Sequence, residues 1–419
     1  MAIIQQERKL LLLAGMVLWC GLLAVDLAHG KINTTGLLVA TGLILVGLIC
    51  QFIIRKTGHT GDPLFLPLAV VLTAIGLIMV YRLKPELFLL QAGWVAVGLT
   101  TFVVTACFFR RMPFWADYKY IWGVIGVVLL VTTALFGTEI GGHKSWLILG
   151  PVRFQPAEFA KLFIVLFLAG YLDERRGLLT FATKRYGPLV LPHPRFLAPL
   201  LAVWGLAMLM LVLQRDIGSA MFYFGTALIL TYLASGRKTF VVWGGALFVL
   251  GLIAAYYLFP HVRVRFDIWL SPWTDPNGRA YQIVQSLFAL GSGGVLGSGL
   301  TYGFPELIPE VHTDFIFSAI GEEMGLMGSG AVMLLYMVLV YRAFRVPLQA
   351  RTSFDILLSM GFAVLLALQI FVIIGGVTKF LPLTGVPLPF VSYGGSSMVT
   401  TFCLLGVLFA MSEARSADA

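Results

Sequence analysis

Apolar runs long enough to cross a bilayer recur along almost the whole chain. A helix of about 20 apolar residues spans the hydrocarbon core. Such runs fall near residues 10–28, 36–54, 64–81, 88–109, 119–136, 158–172, 196–213, 217–235, 240–259, 314–341, 352–375 and 395–412. The pattern predicts an all-α polytopic membrane protein with about 12 transmembrane helices. The run at 158–172 is short, and it can extend back into a re-entrant segment from Trp146 to Pro156 where protein or a wet cavity surrounds that backbone. The turn-rich sequence Gly58-His59-Thr60-Gly61-Asp62-Pro63 follows the second run. It divides the chain into two leading helices (1–63), a core (64–412) and a short tail (413–419). The first run has no small-residue cleavage site and reads as a retained helix. The longest interval without a spanning run is 260–313.

Composition agrees with this pattern. Of 419 residues, 59% are hydrophobic and 12% charged, and mean hydropathy is +0.92. Soluble chains carry about 25% charged residues. The net charge of +9 is not a nucleic-acid signal, because the basic residues sit in short loops between apolar runs. With the N-terminus in the cytoplasm, about 18 of the 29 basic residues fall inside, among them Arg55, Lys56, Arg110, Arg111, Lys184, Arg185 and Arg415. Both termini are then cytoplasmic, and the intervals 137–157 and 260–313 face outward. Cys20, Cys50, Cys107 and Cys403 each stand alone in an apolar run, which supports neither a disulfide framework nor a zinc site. No Walker A sequence occurs, and the glycine run 291–299 does not read GxGxxG.

Ionisable groups at membrane depth are costly and mark function by default. They gather in four places. In the stretch 141–161, Pro156 suits a first helical turn, and Glu158 and Lys161 can pair at i,i+3. Arg153 and Lys144 lie just before that helix and can serve as anion donors; an interfacial set around a structural Glu–Lys pair is the plainer reading. Gln214-Arg215-Asp216 joins two apolar runs, with Asp216 either functional or simply a helix cap. In the long interval, Asp275-Pro276-Asn277-Gly278 is a turn signature, with Arg263, Arg265 and Arg279 near it in sequence. Asp275 is either a turn former or the acid of a phosphate-rich site. Residues 280–290 have helical period, with Gln282, Gln285, Ser286 and Ala289 on one face and Ile283, Val284 and Leu287 on another, as in an interfacial helix. The fourth place joins His312, Asp314, Glu322 and Glu323 to the Pro- and Gly-rich loop 381–397, which offers Ser392 and Ser396. His312 and Asp314 have weak metal-ligand spacing, and a structural histidine is the plainer reading.

At these stretches the chain resembles the SEDS family, the RodA/FtsW/SpoVE proteins of bacterial cell-wall synthesis. The matching segments are KSWLILGPVRFQPAEFAKL, QRDIG, WTDPNGRAYQIVQSLFALGSGG, PEVHTDFIFSAIGEEMG and LPLTGVPLPFVSYGGSS, and the likeness runs from about Asp62 to the end. Arg215 stands where the family more often has Pro, Ala157 where Ser is frequent, and the two leading spans are an addition. The resemblance implies ten core spans with a large outer loop between the seventh and eighth, which is where 260–313 falls among the runs from residue 64 onward. It implies a peptidoglycan glycosyltransferase in the cytoplasmic membrane that polymerises lipid II, partnered by a class B penicillin-binding protein. The family's catalytic aspartate falls on Asp275, and its Arg/Glu/Lys set on Arg153, Glu158 and Lys161.

That activity sets chemical requirements. A carboxylate near the acceptor hydroxyl can act as general base, an effect of about 10²–10⁴-fold. A free Asp has a pKa of about 3.9, and partial burial of Asp275 would raise it. Lys144, Arg153, Lys161 and Arg279 are candidates to stabilise the leaving pyrophosphate, with or without a divalent cation such as Mg or Mn. Asp216, His312, Asp314, Glu322, Ser392 and Ser396 would form a supporting polar cavity. Two rival readings remain open at this stage: a flippase for the lipid-linked precursor, and a non-catalytic scaffold for the transpeptidase.

Overall fold

The computed structural model describes residues 2–140, 143–150, 152–181, 183–186, 189–192 and 194–413. Gly141, Gly142 and most of the expected tail, including Arg415, lie outside the described residues. In chain order the helices are α1 (Ala2–Ala28), α2 (Thr34–Lys56), α3 (Phe65–Leu83), α4 (Pro85–Phe108), α5 (Lys119–Phe136), α6 (Pro156–Phe181), α7 (Pro194–Leu213), α8 (Ile217–Ser235), α9 (Lys238–Leu258), α10 (Pro260–Leu270), α11 (Tyr281–Ser292), α12 (Ile316–Gln349), α13 (Ser353–Val377) and α14 (Gly395–Met411). Five short strands accompany them: β1 (Thr138–Ile140), β2 (His143–Leu149), β3 (Val152–Phe154), β4 (Thr183–Tyr186) and β5 (Leu189–Pro192).

The helices carrying the twelve apolar runs are α1 to α9 and α12 to α14. Among the described residues, nine of them are long and apolar enough to cross a membrane. The chain is an all-α polytopic membrane protein. Helix starts follow backbone chemistry: α4, α6, α7 and α10 each begin at a proline, whose missing N–H costs nothing in a first turn. Asn33 caps α2 by accepting from Thr35 N at 3.1 Å, and Arg55 and Lys56 occupy its last turn, where the helix dipole favours cations.

The chain separates into two compact units. The first comprises Met1–Cys107, Phe259–Arg342 and Gln369–Ala419, and the second Phe108–Leu258 and Ala343–Leu368. In the first, α3 is the packed centre. It is buried on nearly every side, with α1 and α14 against it. Tyr81 of α3 ties the leading pair in by donating to Asp26 of α1 at 2.6 Å, and within the pair Arg55 of α2 bonds the buried Glu7 of α1 at 2.8 Å. In the second unit α5, α6, α7 and α8 pack together, and α9 adjoins α8 with no residue buried. An apolar helix surface left open this way suits lipid rather than protein.

Three expectations need correction. The segment Trp146 to Pro156 does not extend the next helix backward. It lies in an antiparallel sheet of order β1-β2-β3, with Ile148 opposite Arg153, and the helix begins at Pro156. The short run at 158–172 belongs to a helix of 26 residues, because α6 continues through Asp173, Glu174, Arg175 and Arg176 once the apolar stretch ends. The interval 260–313 holds the expected helix, α11, but not with the two faces read from sequence. It contains a second helix, α10, and α11 buries Ile283, Val284, Ser286 and Ala289 together. The two faces assigned to α11 therefore merge. Small Ser286 and Ala289 face protein, and Ser286 hydrogen-bonds Ser318 at 2.7 Å and the Val377 carbonyl at 3.0 Å.

Candidate functional site

Asp275 follows a 3₁₀ turn, Pro272–Thr274, and precedes α11. Its carbonyl accepts from Gly278 N at 3.3 Å and Ala280 N at 3.2 Å. Its carboxylate Oδ2 accepts from Arg279 N at 3.1 Å. The same carboxylate lies directly over Gly278, where any Cβ would collide with it. The turn-forming role is thus real, and it aims the side chain. Asp275 is exposed. Trp273 meets Phe288 of α11 with ring centroids 5.8 Å apart, tying turn to helix. Of the three nearby arginines, Arg279 reaches Asp275 through its backbone. Arg263 lies 3.8 Å from Asp267 on its own helix, and Arg265 donates to the Thr384 carbonyl at 3.0 Å.

The same unit brings the 310–314 segment against the 381–397 loop. Ser392 donates to the Thr313 carbonyl and accepts from Leu388 N at 2.9 Å. Tyr393 N donates to the His312 carbonyl at 2.9 Å. Gln91, buried in α4, donates to the Ser392 carbonyl at 3.4 Å and accepts from Gly394 N at 3.2 Å. Ser396 opens α14, and its carbonyl accepts from Thr400. Burial pushes the Asp314 carboxyl up to about 6, against the opposing pull of Arg265. Burial lowers the His312 pKa, with Glu310 opposing. Glu322 accepts from Phe304 N at 2.9 Å, and Glu323 pairs with Arg82 at 3.1 Å. The adjacent carboxylates in α12 are therefore paired with a loop and a cation.

In the second unit, Glu158 and Lys161 form a buried ion pair at 2.6 Å, 3% and 5% exposed. Tyr223 of α8 donates to the Ala157 carbonyl at 2.9 Å, bracing that first turn. Asp216 caps α8, accepting from Ser219 N at 3.0 Å and Ser219 Oγ at 2.7 Å. Arg215 before it takes a left-handed φ of 63° and pairs with Glu139 at 3.1 Å. Gln214 donates to the Leu130 carbonyl at 2.7 Å and accepts from Lys144 N at 3.2 Å. The Lys144 ammonium itself caps α5, donating to the Ala134 carbonyl at 2.8 Å. Arg153 is exposed on β3. Among the described residues, no three His, Cys, Asp or Glu side chains gather to hold a metal ion.

The family model for the FtsW, RodA and SpoVE proteins, described as cell cycle proteins, matches residues 62–417. The chain belongs to the FtsW/RodA/SpoVE family. Among its relatives is the peptidoglycan glycosyltransferase RodA of Mycobacterium tuberculosis, 38% identical over 97% of this chain and 90% of the relative. A chain of a peptidoglycan synthase complex, solved in a study of how polymerization and crosslinking are coordinated, is 27% identical with a TM-score of 0.72. The match covers 86% of this chain and 99% of that one. The rod shape determining protein RodA of Thermus thermophilus is 26% identical with a TM-score of 0.61, over 85% of this chain and 98% of its own. The mycobacterial match leaves too little of this chain uncovered to hold a spanning helix, so it includes the leading pair α1 and α2. The Thermus protein is covered almost completely while part of this chain is left over.

In this family member, the stretches that carried the resemblance all shape polar structure. KSWLILGPVRFQPAEFAKL builds β2, β3 and the Glu158–Lys161 turn. WTDPNGRAYQIVQSLFALGSGG builds the Asp275 turn and α11. Sequence reasoning passed over Gln91, Arg82 and Tyr223. The signal for the first two was present: a lone amide inside an apolar run, and a lone guanidinium at the end of another. Their partners lie more than two hundred residues away, which no local pattern reports.

Proposed function

We propose that this chain is a peptidoglycan glycosyltransferase that polymerises lipid II into glycan strands at the outer face of the bacterial cytoplasmic membrane. Support comes from family membership along most of the chain and from one geometric fact. Asp275 presents an exposed carboxylate on a turn whose backbone holds it in place. In the reaction, the acceptor sugar hydroxyl attacks the anomeric carbon of the donor. The new oxygen–carbon bond forms as the bond to pyrophosphate breaks, the bonding pair leaving with the phosphate oxygen. Asp275 takes the hydroxyl proton. Because an alcohol is a far weaker acid than a carboxylic acid, that transfer comes late, when bonding to carbon has acidified the hydroxyl. One carboxylate and no second nucleophile suits direct displacement, which inverts an α-linked donor to a β-linked chain.

The remaining roles are assigned unit by unit. In the second unit, the exposed Arg153 and Lys161, which Glu158 orients, are the candidate anion-binding groups. In the first, Arg279 adds positive charge beside Asp275, and His312, Asp314, Glu322, Ser392 and Ser396 shape the polar wall. Lys144 and Asp216 serve as helix caps that hold the second unit's polar turn. The excess of Lys and Arg in alternate loops supports an orientation with both termini in the cytoplasm. The leading pair 1–63 is an anchor added to the core at 64–412, and a class B penicillin-binding protein crosslinks the product.

Purified chain in liposomes, with its transpeptidase and labelled lipid II, tests the assignment. Glycan polymer on a gel is the expected result. Leaflet exchange of lipid II without polymer would make the chain a flippase, and transpeptidase binding alone would make it a scaffold.

A further inference from the structure

We propose that Arg82 is a positioning residue: it locks the glycine-rich segment 291–299 into a break in α12 and thereby fixes the stretch of chain that carries Asp275. The proposal rests on Asp275 being the base. In an unbroken α12, the carbonyls of Glu322 and Glu323 would accept from Leu326 N and Met327 N, four residues on. At Gly325 the helix breaks, with φ 65° and ψ −165°. The four groups turn instead to the glycine-rich segment. Leu326 N donates to the Gly294 carbonyl at 2.9 Å and Met327 N to the Val295 carbonyl at 3.1 Å. Ser298 N donates to the Glu322 carbonyl at 2.9 Å and Gly299 N to the Glu323 carbonyl at 3.0 Å. Four bonds between segments replace two within the helix. Backbone N–H and C=O groups left unpaired are costly, so the break and the segment require each other. A side chain at 325 would be strained by the left-handed φ and would collide with the backbone of Gly297.

Arg82, in the last turn of α3, closes this interlock. Its guanidinium has three separate partners: Glu323 Oε1 at 3.1 Å, Glu306 Oε1 at 2.6 Å and the Gly303 carbonyl at 3.2 Å. Glu323 is 1% exposed, and Arg82 is the cation that its carboxyl meets there. Glu322 draws the same loop inward through Phe304 N. The pinned segment leads straight back into α11, whose first residue, Tyr281, lies just beyond the Asp275 turn. Asp275 is exposed, and its hydrogen bonds are to backbone within that turn. Its position is therefore inherited from α11, and α11 ends in the interlock. A displacement of about 1 Å at a reacting group can cost about 100-fold in rate.

Polymerisation kinetics and amide hydrogen exchange, both on the full chain with its transpeptidase in lipid nanodiscs, test this. Arg82→Gln should speed exchange in peptides covering 293–299 and 322–328, lower kcat by at least about ten-fold and leave KM for lipid II nearly unchanged. Exchange in α13 and α14 should stay as in wild type. Gly325→Ala should reproduce both changes by opening the interlock from its other side. Arg82→Lys, which keeps the charge but cannot hold three partners, should fall between. Should Arg82→Gln fail to fold, Arg82→Lys and Glu306→Gln carry the test, and wild-type kcat in both would overturn the proposal. Faster exchange in the interlock with unchanged kcat would overturn positioning yet leave Asp275 as base. Faster exchange everywhere would reduce Arg82 to a general stabiliser and overturn it too. Wild-type polymerisation by Asp275→Asn would instead remove the reading on which the proposal rests.

Discussion

Replacing Glu158 by Gln leaves Lys161 buried beside an amide in place of a carboxylate 2.6 Å away. At that separation the pair attracts by about 6 kcal/mol for an effective dielectric constant of about 20. Taking the two ions out of water costs several kcal/mol each, so the intact pair roughly balances. Removing one partner takes the opposite charge away from the other while it stays buried, a loss of about 3–5 kcal/mol. Glu158→Gln and Lys161→Met should each destabilise the chain by about that much, while Glu158→Gln/Lys161→Met together should recover most of it. Thermal unfolding in nanodiscs, followed by exposure of a reporter dye, gives the double-mutant cycle. A coupling of about 3 kcal/mol is expected. The double variant should be folded yet poor at polymerisation, which separates the pair's role in chemistry from its role in stability. Single substitutions costing under about 1 kcal/mol would refute the reasoning, because a surface pair behaves that way and a buried one does not.

Other expectations follow from the same geometry. Gly278→Ala should push the Asp275 carboxylate off its turn, cutting polymerisation at least about ten-fold while shifting unfolding by under about 1 kcal/mol; activity at the wild-type level would show that the turn does not aim the acid. Gln91→Leu leaves Gly394 N and the Ser392 carbonyl without their amide partner, a cost of about 1–3 kcal/mol, measurable by denaturation in mild detergent. Asp314 has a folded pKa raised from 3.8 to about 6, so its contribution is fully present below pH 3.8 and is lost as pH rises through about 6. Asp314→Asn should therefore stabilise the chain above pH 6, by at most about 3 kcal/mol, and the gain should vanish near pH 4; a gain independent of pH would contradict the burial argument. His312 runs the other way, with a folded pKa lowered by burial, so its contribution is present above its ordinary pKa and is lost as pH falls through the lowered value.

Much of this was legible in the chain because membrane helices announce themselves. A run of apolar residues has one destination in a bilayer, and twelve such runs became twelve helices. Boundaries were less legible where a helix outlasts its apolar stretch, as α6 does through Asp173–Arg176. The strands around Trp146 carry no period long enough to distinguish a short hairpin from a re-entrant helix. The dual face of α11 was misread because Ser286 looks polar in sequence, yet its hydroxyl is fully used by Ser318 and Val377. The break at Gly325 could not be read from α12 alone, since what stabilises it is a glycine run about thirty residues earlier. The aspartate turn was legible in kind, because Asp-Pro-Asn-Gly leaves few alternatives. Its exposure was not, because that depends on how α10 and α11 pack.

The most direct measurement is the polymerisation rate of Asp275→Asn beside wild type, in liposomes with the transpeptidase and lipid II, at matched amounts of folded protein. Asn keeps the shape and can still accept from Arg279 N, so fold and partner binding should be unchanged. Glycan strands should be absent or reduced by at least about 100-fold. Strands made at the wild-type rate would contradict the assignment of Asp275 as the base.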